Sequence, residues 1–162
     1  MLNLKDLKVV FFDFDDTLCI HTYHKDWNYT FTENTTPDIY DKHECKKNYQ
    51  MKKFIELLAE LGIEMHMISA TSEICRPVKL KWIEKNYGVI MIDSCTLQHS
   101  EKVAKIVEYC DNHNIKYSQA LFIDDIFSNV QEAYSCGLQA CSPMEVVNFI
   151  NERKRDIYSK NI

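Results

Sequence analysis

The run Val9-Val10-Phe11-Phe12-Asp13-Phe14-Asp15-Asp16-Thr17-Leu18 constrains this chain more than any other segment. Four apolar, β-prone residues predict a fully buried strand. That strand delivers Asp13, Asp15 and Asp16 at its end. Carboxylates this close repel one another and raise one another's pKa, so a buried position without a counter-charge is costly. A divalent cation is the usual means of offsetting such crowding. The device recurs where Ala120-Leu121-Phe122-Ile123 runs into Asp124-Asp125. Two apolar strands that each end in acids predict one cation site at the carboxyl edge of a parallel sheet.

Strand and helix patterns alternate along the rest of the chain. Met51, Phe54, Ile55, Leu58 and Leu61 share one helical face, which Gly62 ends. A strand from Glu64 to Ser69 follows. Val78, Trp82, Ile83 and Tyr87 stripe a helix that stops at Gly88, and Val89-Ile90-Met91-Ile92 reads as a short buried strand. Val103, Ile106, Val107 and Cys110 mark the next helix. Val130, Ala133 and Tyr134 mark another, closed by Gly137. Leu138 to Cys141 predicts an edge strand. Ser142-Pro143-Met144-Glu145 combines a capping box with proline at the first helical position. It opens a terminal helix carrying Val146, Val147, Phe149 and Ile150, and a polar tail follows Arg153. The order implies an α/β fold, a Rossmann-like parallel sheet in three layers with helices on both faces. Residues 1–162 are expected to form one domain, without repeats or linkers.

The polar motifs resemble the four signatures of the haloacid dehalogenase-like (HAD) hydrolases. Asp13-Phe14-Asp15-Asp16-Thr17 is similar to the first, Asp-x-Asp-x-Thr after an apolar strand. Met65-His66-Met67-Ile68-Ser69 resembles the second, a strand ending in a hydroxyl residue. Lys102 resembles the phosphate-binding lysine of the third. Phe122-Ile123-Asp124-Asp125-Ile126-Phe127-Ser128-Asn129 resembles the fourth, in its Asp-Asp-x-x-x-Asn form. The match runs from about Lys8 to Cys141.

The resemblance implies a Mg2+-dependent phosphatase that hydrolyses a phosphate monoester through an aspartyl-phosphate. Asp13 would be the nucleophile and Asp15 the general acid and base. The Asp13 carboxylate, the Asp15 carbonyl and Asp125 would hold Mg2+. Ser69 and Lys102 would neutralise the transferring phosphoryl group. Asp124, Asn129 and Thr17 would support these residues, and Asp16 has no catalytic role. Thr71 or Ser72 could replace Ser69 in its role, and Lys105 competes with Lys102 from one helical turn away. A slow or silent domain that binds a phospho-ligand, and phosphoryl transfer other than hydrolysis, are the alternative readings. A receiver-type phospho-acceptor is disfavoured because Lys102 precedes the second acidic pair.

Only residues 19–48 offer room for a cap, and about thirty residues are too few for a packed domain. The chain therefore resembles capless or minimally capped relatives. Their open sites suit a phosphorylated substrate presented on something large, such as a phosphoprotein or a nucleic-acid end. Trp27 to Thr32 alternates aromatic and polar residues and predicts a hairpin flap turning at Glu33-Asn34-Thr35-Thr36. Trp27 and Tyr29 are its candidate substrate contacts. His21, His24, His43 and Cys45 have the ligand types for zinc, but their spacing matches no zinc motif, and surface histidines are the expectation.

Seven cysteines form no Cys-x-x-Cys pair. With no export signal at the start of the sequence, they read as free thiols of a cytoplasmic protein. A net charge of −5 argues against general nucleic-acid or anionic-membrane binding. No apolar run approaches the length of a membrane span. A monomer or small homo-oligomer is expected.

Overall fold

The computed structural model describes residues 6–21 and 45–146. Five parallel strands form the central sheet: β1 (Val9–Phe12), β4 (Glu64–Met67), β5 (Ile92–Asp93), β6 (Ala120–Ile123) and β7 (Gln139–Cys141). Their spatial order is β5-β4-β1-β6-β7. The chain thus lays β4 and β5 on one side of β1 and then crosses to the other side for β6. Strand order reverses beside β1, and in open parallel sheets such a reversal opens a crevice outside the strands' carboxyl ends. Register brings the two acidic segments level, because Phe12 is aligned with both Met67 and Ile123. One further hydrogen bond, from Asp13 N–H to the Ile123 carbonyl (2.9 Å), carries the alignment into the acids.

Alternation along the strands divides the core in two. Val10, Phe12, Met65, Met67, Leu121 and Ile123 face α1 (Tyr49–Glu60) and α2 (Arg76–Tyr87), whose Phe54, Leu58, Ile83 and Tyr87 are buried there. Val9, Phe11, Ala120 and Phe122 face α3 (Lys102–Asn112) and α4 (Phe127–Ser135), through Val103, Ile106, Cys110, Val130 and Ala133. Period two in the strands and 3.6 in the helices place these residues together. Helices on both faces explain why all four residues of β1 and of β6 are buried. No helix among the described residues is long and apolar enough to cross a membrane.

Three local expectations are corrected. The strand near Gly88 is Ile92–Asp93, and it is exposed rather than buried. Val89 and Met91 turn to the α1/α2 side while Ile90 stays 84% exposed, as an edge covered on one face requires. Leu61 is exposed because it lies at the end of α1, past the last turn that faces the sheet. Tyr134 is exposed beside the buried Ala133 of α4. The Ser142 cap forms, with its hydroxyl donating to Glu145 (2.9 Å), and residues 143–146 are helical. Val147, Phe149, Ile150 and the tail after Arg153 lie outside the described residues.

The insert is described only at its base. There β2 (Cys19–His21) pairs antiparallel with β3 (Cys45–Lys47), apart from the main sheet. The expected hairpin with Trp27 and Tyr29, and His24 and His43, lie outside the described residues. In the core, Phe12 is fully buried with its ring 6.4 Å from that of Phe54. Phe12→Ala is expected to cost about 3–5 kcal/mol of folding stability, measured by denaturant unfolding.

Candidate active site

Asp13 follows β1 directly and Asp124 follows β6, so both stand at the carboxyl edge of the sheet. Oxygens of Asp13, Asp124 and Asp125 lie within 4.8 Å of one another, a spacing that one cation could span. Lys102 opens α3 and is wholly buried against them. Its Nζ is 2.8 Å from Asp13 Oδ1 and 2.9 Å from Asp124 Oδ2. The rest of Asp124 is also engaged: Oδ1 accepts from the Ile126 N–H (2.8 Å), and Asn129 Nδ2 donates to both oxygens (3.1 Å each). Asp124 is therefore an anchor for Lys102 and Asn129, which leaves Asp13 and the exposed Asp125 as the better-placed ion ligands.

One lysine does not balance three carboxylates. Burial pushes Asp13 up to about 7; Lys102 opposes that rise, and Asp124 and Asp15 add to it. Burial and Asp124 likewise raise Asp125. Burial would lower Lys102, but Asp13 and Asp124 hold it above the ordinary lysine value. The cluster is thus a hard-oxygen site with charge left over, and such donors suit Mg2+ or another hard cation.

Asp15 lives in a different environment. After Asp13 the chain turns sharply, with Asp16 in the left-handed region (φ 52°) and its N–H bonded to the Cys19 carbonyl (2.8 Å). An aspartate tolerates that conformation better than most residues, which explains Asp16 without chemistry. The turn brings β2 back beside Asp15, whose Oδ1 meets His21 Nε2 at 2.8 Å. Oδ2 accepts from Lys79 Nζ at 2.6 Å. Burial alone would raise Asp15, but Lys79 and His21 outweigh it and hold the carboxyl well below the usual range.

Lys79 is the residue the sequence reading missed. It is 2% exposed, and its Nζ also donates to Ser69 Oγ (2.7 Å). Its signal was its place in α2: Lys79, Ile83 and Tyr87 form the buried stripe, so a lysine sits where an apolar residue was due. Tyr87 completes the wall, donating from its hydroxyl to the Leu18 carbonyl (2.6 Å).

The remaining candidates fall as follows. Ser69 is buried in the site, whereas Thr71 and Ser72 are half-buried farther along the loop. Lys105 is a surface residue paired with Glu108 at 3.3 Å. Thr17 is buried, its carbonyl accepts from Asn48 Nδ2 (3.1 Å), and its hydroxyl has no hydrogen-bond partner among the described residues. Beyond Asp125 a groove of about 710 Å³ runs along α4 past the exposed Phe127 and Tyr134 to Ser142 and Glu145.

No protein-family model matches the chain, and no curated protein matches its sequence. Solved structures do match its fold. The 3-deoxy-D-manno-octulosonate 8-phosphate phosphatase of Moraxella catarrhalis, solved with magnesium, phosphate and KDO, shares 17% identity. The match covers 79% of this chain and 63% of that one, with a TM-score of 0.50. The phosphatase-containing N-terminal part of Bacteroides fragilis BF1531, complexed with Mg, is 12% identical over 91% of this chain and 40% of that one (TM-score 0.59). A Streptomyces avermitilis protein assigned to the HAD hydrolase family is 14% identical over 86% and 72% (TM-score 0.54). The chain thus spans less than two thirds of the length of the first two. It has the fold of the haloacid dehalogenase-like hydrolases, and its acidic residues occupy that fold's carboxyl edge.

A raised Asp13 makes cation binding compete with a proton. With Mg2+ as the probe, apparent affinity is expected to fall below about pH 7, approaching tenfold per pH unit. Calorimetric titration across pH 5 to 8 checks this, and Asp13→Asn should flatten the dependence.

Proposed function

We propose that the protein is a Mg2+-dependent phosphatase that hydrolyses a phosphate monoester by way of a phosphorylated Asp13. The observation that carries this reading is the convergence of Asp13, Asp124 and Asp125 around one point, with buried Lys102 bound to Asp13. Asp13, Asp125 and the Asp15 carbonyl would hold Mg2+, which when bound would neutralise phosphate oxygens and help align the phosphoryl group. The Asp13 carboxylate attacks phosphorus, the bond to the ester oxygen breaks, and the departing alkoxide takes a proton from Asp15. Water then attacks the acyl phosphate, giving its proton to Asp15 and releasing phosphate and free Asp13. Ser69 and Lys102 offset charge on the equatorial oxygens, which is where this transition state carries it. Asp124 and Asn129 keep Lys102 aimed.

Lys79 gives Asp15 a way to serve as both acid and base. In the resting structure its ammonium holds Asp15 ionised, the form needed to take a proton from water. Lys79 also touches Ser69, so a phosphate arriving there competes for the same ammonium. As the ammonium turns to the phosphate, Asp15 loses its main counter-charge, its proton affinity rises, and it takes from solvent the proton it then gives to the leaving oxygen. The phosphoryl group is the recognised element. Small esters, phosphoproteins and nucleic-acid ends are the substrate classes to screen.

The direct test is turnover of an aryl phosphate with Mg2+, with EDTA, and by Asp13→Asn. Activity is expected with Mg2+ only, and undiminished activity in Asp13→Asn would falsify the assigned nucleophile. Lys79→Met is expected to lower kcat/KM by about 10²-fold. It should also move the basic limb of the kcat/KM profile upward, because Asp15 must carry a proton to act as the acid and loses the charge that holds its pKa down. Lys79→Arg should restore the limb, and a packing role alone would leave the limb where it was.

A further inference from the structure

A second group of ligand-type side chains lies at the base of the insert, distinct from the Asp13, Asp124 and Asp125 cluster and joined to Asp15 through His21. Along β2, Cys19 and His21 are buried while Ile20 between them is exposed, as alternation requires. In β3, Cys45 sits directly opposite His21 in the antiparallel register. One atom from each of Cys19, His21 and Cys45 lies within 4.8 Å of the other two. His21 Nδ1 is 3.5 Å from Cys45 Sγ, and its Nε2 is 2.8 Å from Asp15 Oδ1.

We propose that Cys19, His21 and Cys45 form a zinc site that clamps the base of the insert and orients His21 against Asp15. Donor chemistry is the first argument. Two thiolates and an imidazole are soft ligands that select zinc over the hard cations suited to Asp13 and Asp125. An ion at about 2.3 Å from sulfur and about 2.0 Å from nitrogen bridges such a cluster after a small contraction. The second argument is ring orientation. A zinc-bound histidine characteristically donates its other ring N–H to a carboxylate, which fixes the tautomer. His21 already has one nitrogen on the thiol side and the other on Asp15.

The third argument is mechanical. Among the described residues the β2–β3 ladder has three residues per strand and pairs with no other strand. Two-stranded ladders are marginal by themselves. An ion tied to both strands restrains them, since its binding free energy is realised only when the strands are held together. Three protein ligands leave the fourth tetrahedral position to water or another donor. The sequence groups His21 and Cys45 with His24 and His43 and favours surface histidines; His21 is instead buried, and antiparallel pairing brings Cys19 beside it and Cys45.

The test uses the whole chain and no activity measurement, so it stands apart from the phosphatase reading. Protein purified without chelators is expected to carry one zinc per chain. Chelator-stripped protein reloaded with Co2+, in saturating Mg2+ to fill the carboxylates, should show the near-ultraviolet absorption of cobalt bound by thiolate. Cys19→Ser and Cys45→Ser should each weaken that band and together abolish it, while Asp13→Asn and Cys136→Ser (an exposed thiol outside the cluster) should keep it. Circular dichroism confirms that each variant is folded. Folded wild-type protein without a thiolate band overturns the site, and so does a band that survives the double variant.

Discussion

One buried ammonium ties together the two acidic segments at the carboxyl edge of the sheet. Lys102 joins Asp13, just past β1, to Asp124, just past β6, two segments more than a hundred residues apart in sequence. Removing a lysine and two aspartates from water is expensive, and their attraction repays it only where geometry is close and the remaining lone pairs are used. Asn129 and the Ile126 N–H use those of Asp124. The exchange leaves Asp13 and Asp125 with charge not fully offset. The proposed cation would complete that balance.

Two carboxylates two residues apart are thereby set to opposite tendencies. Asp13 is driven up by burial among acids, and Asp15 is held down by Lys79 and His21. Such divergence is how one site assigns different chemical tasks to like groups. The backbone makes it possible. Asp13 is still in register with β6, whereas Asp15 lies past that pairing and faces the returning β2. The insert's base is thus part of the Asp15 environment, and a metal holding β2 to β3 would act on the reaction through His21.

Legibility in the sequence followed how local each determinant was. β1 and β6 were readable because both faces are covered and their residues are continuously apolar. The strand near Gly88 was misplaced because an edge covered on one side needs only alternate apolar residues. Asp13, Asp124 and Asp125 stood out because acids at the ends of apolar strands have no structural reason to be there, and Lys102 through its likeness to the family's third signature. Lys79 did not: it lines up with Ile83 and Tyr87, but in a helix that also carries Lys81 and Lys85 a lysine reads as solvent-facing until the helix's docking is known.

Local pattern was enough for the layered α/β plan and for placing acids at the ends of two buried strands, because both follow from short-range periodicity. What those acids touch depends on packing. The docking of α2 put Lys79 between Asp15 and Ser69, and the return of β2 against β3 gathered Cys19, His21 and Cys45. These contacts span 10 to 64 positions of chain. Partners so far apart are set by how helices and strands pack against one sheet, which local pattern does not encode.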